Sequence, residues 1–163
     1  MIADAALVRL INVNLHCDAA PLASMSTDCL RVKSGCVLAE GCHFASAQHN
    51  AISVRAGSEV LLYKCAVTEA RYFGCTLSGG SAHLVDSRID HCGSAGVFCR
   101  GDARSDKHKA AVSMSRNTIS NCDKAVYFDS GSHAVIADSN RFIDITSRPA
   151  CHVAEDGADV FFE

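Results

Sequence analysis

The residues best equipped for chemistry in this chain are thiols and imidazoles: ten cysteines and eight histidines in 163 residues. Adjacent pairs such as His16-Cys17, Cys42-His43 and His91-Cys92 have the composition that a thiolate nucleophile with its base would need. Neighbours in an extended strand point to opposite faces, so each pair would be split, cysteine inward and histidine outward. A working dyad would have to form between residues distant in sequence, and no spacing picks one out. Serine, histidine and aspartate are likewise too frequent for any Ser-His-Asp combination to carry meaning. There is no Cys-x-x-Cys, and His43 beside Cys42 has no partner pair at finger-like spacing, so no metal or other cofactor is expected. Most cysteines sit inside apolar stretches such as Cys29-Leu-Arg-Val32, Gly74-Cys-Thr-Leu77 and Gly96-Val-Phe-Cys99. They read as buried, reduced thiols that pack as small apolar side chains, which points to a reducing, intracellular and cytoplasmic setting. The start, with neither a basic n-region nor a long apolar h-region, reads as lacking a signal peptide.

These residues must be positioned by short extended elements. The composition is 48% hydrophobic, enough for the core of one domain, and the net charge of -3 offers no global field for nucleic acid or an anionic membrane. Apolar runs such as Ala5-Ala6-Leu7-Val8 are far too short to span a bilayer. Apolar residues alternate at period 2, as in Ile52/Val54, Val60/Leu62, Val112/Met114 and Val126/Phe128, and Gly-Ser pairs close the runs.

The alternation is itself periodic. One family of strands is anchored on Val32, Val54, Leu77, Cys99, Phe128 and Val153, with spacings of 22, 23, 22, 29 and 25. A second is anchored on Phe44, Val67, Ile89, Ile119 and Phe142, with spacings of 23, 22, 30 and 23. The distance from each second anchor to the next first anchor stays between 9 and 11, so added length belongs to the other half of the period. It falls in the polar run Gly101–Lys109. Two residues before the second anchors stand Cys42, Cys65, Ser87, Asn117 and Asn140, which predicts an internal ladder serving the backbone groups of a turn. The expected architecture is all-β: a parallel β-helix of about six to seven rungs, with a period near 22 residues. It forms a single domain over 1–163, with an irregular first rung and loop at 1–28, regular rungs at 29–155, and a further rung or a truncated end at 156–163. The apolar end Asp159-Val-Phe-Phe-Glu163 suggests a piece of a longer solenoid, or an end that stacks on another copy.

The segments Gly57-Ser-Glu-Val-Leu-Leu-Tyr-Lys-Cys65, Gly131-Ser-His-Ala-Val-Ile-Ala-Asp-Ser-Asn-Arg-Phe142 and Ile119-Ser-Asn-Cys-Asp-Lys-Ala-Val126 carry a family resemblance. They resemble the repeat of the right-handed parallel β-helix (pectin-lyase-like) superfamily, over roughly residues 29 to 155. That superfamily includes pectate lyases, polygalacturonases and alginate epimerases. It also includes the noncatalytic repeat regions of eukaryotic F-box and Shc-binding proteins, which this chain resembles in style. The resemblance implies a binding groove on the exposed face of the first sheet. Expected binding residues there are Arg31, Lys33, Arg55, Phe98, Arg100, Tyr127, Asp129 and His152. A hydrolase would want two or three closely spaced carboxylates on that face, and a lyase an acidic calcium cluster with an arginine base. Only Asp129 is expected on the face, with Asp102, Glu155 and Asp156 at its margin, so no catalytic residue is assigned. Arg31, Lys33, Arg55 and Arg100 would form a basic stripe, and Phe98 with Tyr127 an aromatic anchor or sugar-stacking platform. The expected function is a noncatalytic scaffold for a protein or peptide partner. The alternatives are a carbohydrate-binding or carbohydrate-active module that takes an acidic glycan, and a structural solenoid stacking end to end.

Overall fold

The computed structural model describes residues 2–18, 27–101, 109–153 and 158–162. Short strands follow one another without a helix among the described residues. β1 (Ile2–Ile11) and β2 (Asn14–Cys17) precede β3 (Leu30–Glu40) and β4 (His43–Ser46). Three strands per coil then recur: β5 (Ile52–Arg55), β6 (Ser58–Tyr63) and β7 (Ala66–Thr68), then β8 (Phe73–Ser78), β9 (Ser81–Val85) and β10 (Arg88–Asp90). They are followed by β11 (Ala95–Arg100), β12 (Ala110–Ser115) and β13 (Thr118–Cys122), then by β14 (Lys124–Phe128), β15 (Ser132–Ile136) and β16 (Arg141–Ile145). β17 (Cys151–Val153) and β18 (Asp159–Phe162) come last.

Every named strand pair is parallel, and each strand pairs with its counterpart one coil away. The first sheet holds the start of β3 with β5, β8, β11, β14 and β17. The second holds β1, the end of β3, β6, β9, β12, β15 and β18. β3 turns the corner between them, which joins both faces into one 12-stranded sheet. The third sheet is β2, β4, β7, β10, β13 and β16. This is a parallel β-helix, and it differs from the two strand families read in the sequence by the strand on its second face. The physical reason is visible inside the coil. The second-face core positions mix alanine with larger residues, as in Ala82/Leu84 and Ala134/Ile136, so their hydrophobic signal is diluted.

Both anchor columns face the core. Val32, Val54, Leu77, Cys99 and Phe128 are fully buried, as are Phe44, Val67, Ile89 and Ile119. In the last coil Val153 is 42% exposed, and on β18 Phe161 and Phe162 are 54% and 60% exposed. The added length at 102–108 falls between β11 and β12, outside the described residues.

The corner between second and third sheets is turned by one residue with positive φ in each of the first five coils: Asn12, Gly41, Lys64, Asp86 and Arg116. The ladder predicted from the sequence lies beside it. Ser87 Oγ accepts from the Cys65 N–H at 3.0 Å, and Asn117 Oδ1 accepts from the Ser87 N–H at 2.9 Å. Asn140 Oδ1 accepts from the Asn117 N–H at 3.0 Å, while Asn117 Nδ2 donates to the Leu84 carbonyl at 2.7 Å. Each side chain therefore serves backbone groups of the preceding coil that would otherwise be buried unpaired.

Two packing tests follow. Asn117→Ala removes donor and acceptor from a buried site and should cost about 2–3 kcal/mol, read from the urea midpoint. At Gly96 an added Cβ would lie 2.5 Å from Ile119 Cγ2 and 2.9 Å from the Ala125 carbonyl oxygen. Gly96→Ala should therefore lose about 1–3 kcal/mol by overpacking, without altering the far-ultraviolet circular dichroism of the strands.

Candidate functional site

The outward positions of the first sheet form columns because the strands are in register. Arg31 pairs with Ser53, Ser53 with Thr76, Thr76 with Phe98, Phe98 with Tyr127 and Tyr127 with His152. A second column, two residues further along, joins Arg55, Ser78 and Arg100. Asp129 follows Phe128 at the end of β14, and its N–H bonds the Cys99 carbonyl, which puts it beside Arg100. The expected binding residues Arg31, Arg55, Phe98, Arg100, Tyr127, Asp129 and His152 therefore share one face, while Lys33 follows Val32 toward the corner of β3. Asp102, Glu155 and Asp156, expected at the margin of that face, lie outside the described residues.

The side chains on that face do not form a basic stripe. The Arg31 guanidinium folds back onto the Asp28 carboxylate at 2.7 Å, and Arg100 Nε lies 3.4 Å from Asp129 Oδ2. Two of the four cations are thus neutralised by carboxylates. Lys33 and Arg55 are exposed and have no ion pair among the described residues.

Asp28 anchors the corner where the third sheet turns into the first. Its side chain is almost fully enclosed and accepts from Arg31 Nε, His49 Nδ1 and Asn50 Nδ2, at 2.9, 2.6 and 3.2 Å. Burial pushes this carboxyl up, but the hydrogen bonds from His49 and Arg31 and their charge outweigh it and hold it below its ordinary 3.8.

The aromatic residues form a ladder. Phe73 stacks on Phe98 with centroids 4.6 Å apart, Phe98 on Tyr127 at 5.4 Å, and Tyr127 on His152 at 4.9 Å. The planes lie within 8–16° of one another. These separations are too short for rings lying side by side in one plane, so the rings stand out from the sheet and cover each other's faces. What the ladder presents to solvent is a ridge of ring edges. A sugar-stacking platform needs an open ring face, and inside the ladder Phe98 and Tyr127 have none. Lys124 lies 5.9 Å from the Tyr127 centroid, with its ammonium paired to the Asp123 carboxylate at 2.8 Å.

Phe73 is the member that the sequence did not reveal. Its ring sits at the level of Thr76, which points outward and yet is only 6% exposed. Period-2 alternation is broken at the corner, where Gly74 and Cys75 both turn toward the core, so counting back from Thr76 misplaces Phe73. Ser53 is also outward and only 2% exposed.

The Cys/His pairs are split as strand geometry requires. Cys42 and Cys92 are buried, while His43 bonds Thr68 at 2.7 Å and His91 reaches solvent beside Asp90 at 2.8 Å. All ten cysteines are free thiols. Burial pushes the Cys75 thiol up to about 12 and raises that of Cys99 as well, which leaves both inert as nucleophiles.

The Asp28 cluster generates a pH test. A carboxyl whose folded pKa is depressed adds stability that is complete above its unfolded pKa near 3.8 and is lost as pH falls through the folded value. Asp28→Asn should cost about 2 kcal/mol at pH 7, read from urea unfolding. The gap from the unaltered protein should narrow as the measurement is repeated at pH values falling below 3.8.

Comparison with known proteins agrees with this architecture. No curated protein and no solved structure gives a significant match. The family model described as "Right handed beta helix region" matches residues 6–162. With nearly its whole length matched, and with parallel strands stacked coil upon coil, the chain belongs to the right-handed β-helix family.

Proposed function

We propose that the first-sheet face is a noncatalytic interaction surface, by which the protein acts as a scaffold that binds an acidic peptide segment of a partner. The aromatic ladder is the observation that carries this reading. Its ridge of ring edges is apolar with the positive end of the ring quadrupole outward, so it favours carboxylate and carbonyl oxygens over a sugar ring. Arg55 and Lys33 add unneutralised charge beside it, and the Arg100–Asp129 pair sets a polar rim. The coil holds these side chains on rigid strands, so little ordering entropy opposes association. The reading has the same character as the noncatalytic repeat regions that the sequence resembles, and the buried thiols suit a reducing, intracellular setting.

The test is a selection of displayed random peptides on the immobilised protein, followed by titration of the selected peptides. Acidic peptides with an apolar residue should be recovered, and Tyr127→Ala and Arg55→Ala should each weaken them about tenfold or more. Polygalacturonate is the counter-probe. Saturable binding of that glycan, lost in Tyr127→Ala, together with no selected peptide, would transfer the face to the carbohydrate reading.

A further inference from the structure

A hydrogen-bonded chain of side chains crosses the outer face of the second sheet over three successive coils. Glu59 stands on β6, His83 on β9 and Ser113 on β12. His83 Nε2 is 3.0 Å from Glu59 Oε1, and its Nδ1 is 2.6 Å from Ser113 Oγ. With the Nε2–H donating to the carboxylate, Nδ1 keeps its lone pair and accepts the serine hydroxyl proton. Nucleophile, base and orienting carboxylate are then in series.

An apolar surface continues from the triad. Leu38, Leu61, His83 and Ser113 occupy one column of the sheet. At its leucine end, Leu7, Leu38, Leu61 and Tyr63 border an open depression of about 330 Å³. His83 stands between Ser113 and Leu61 in that column, so the leucines begin two strand spacings, roughly 10 Å, from the serine.

We propose that Glu59, His83 and Ser113 form a nucleophilic triad that takes the acyl group from activated esters. Ser113 Oγ bonds to the ester carbonyl carbon while its proton passes to His83 Nδ1, and Glu59 stabilises the imidazolium. The bond from the carbonyl carbon to the alcohol oxygen then breaks, and the leaving alcohol takes the proton from Nδ1. Water, deprotonated by the same nitrogen, hydrolyses the acyl-serine and returns the acid and the free hydroxyl. Ser113 is paired in the sheet on both sides, with Val135 and with His83. Its neighbouring backbone donors are therefore committed to the sheet, and the tetrahedral oxyanion meets no ready pair of them. Acylation by activated esters followed by slow deacylation is the expected behaviour. This inference concerns a face separate from the aromatic ladder and stands or falls independently of the proposed peptide binding.

The whole protein is mixed with p-nitrophenyl butyrate, and release of p-nitrophenolate is followed together with peptide mass analysis. A burst stoichiometric with the chain and one butyryl group on Ser113 are expected. Ser113→Ala should abolish the burst, and His83→Ala should slow acylation about a hundredfold. Glu59→Gln should fall between His83→Ala and the unaltered protein. Urea midpoints identify any variant that is misfolded, and the unaltered protein is decisive by itself. Absence of a stoichiometric burst, label on another residue, or a burst unchanged in folded His83→Ala would overturn the proposal.

Discussion

In-register stacking of parallel coils, one strand spacing of about 4.8 Å apart, is the constraint on which the rest of the structure depends. The backbone hydrogen bonds of three sheets run along the coil axis, so each residue has its counterparts directly above and below. A position in the repeat is thus a column, and each column must be filled by side chains that tolerate their own kind as neighbours. Inside, that selects valine, leucine, isoleucine, phenylalanine and thiols, which pack on themselves without leaving a polar atom unpaired. At the second corner it selects residues that donate or accept across one coil, which is why serine and asparagine occupy the ladder ending at Asn140.

The same constraint acts on the outer faces, with a different result. Aromatic side chains brought to one column at this spacing stack, and in stacking they cover each other's faces. The first-sheet face therefore offers ring edges, and its chemistry is that of an apolar ridge with a positively polarised rim. Charges in neighbouring columns behave similarly. A cation one coil from a carboxylate pairs with it, as Arg100 does with Asp129, and a cation at a corner folds back to a carboxylate held there, as Arg31 does with Asp28. What survives as unneutralised charge on the face is less than the sequence implies, and it lies at Lys33 and Arg55.

Two outer faces thus differ in kind. The first carries the ladder and the remaining cations. The second carries aliphatic residues and a hydrogen-bonded Glu-His-Ser series, which no strand contributes alone. Column stacking accounts for both: it places side chains from three coils within hydrogen-bonding distance on a surface that is otherwise flat.

Much of this architecture was legible in the sequence. The two anchor columns, the near-invariant return distance and the Cys42–Asn140 ladder follow from periodicity, because the side chains that must be buried recur wherever the coil returns. The placement of Arg31, Phe98, Tyr127 and His152 on one face followed from the same count. The second-face strand was legible at Val60/Leu62 and Val112/Met114 but obscured in β9 and β15 by alanines at core positions, and Phe73 was obscured by the break in alternation at the Gly74 corner. Periodicity determined which residues stack and which of them face the core. Which exterior side chains touch was decided by the tertiary structure alone, because it depends on how corners bend and on which rotamers reach the next coil. The pairing of Arg31 with Asp28, the covering of ring faces and the meeting of Glu59, His83 and Ser113 all lie on that side of the division.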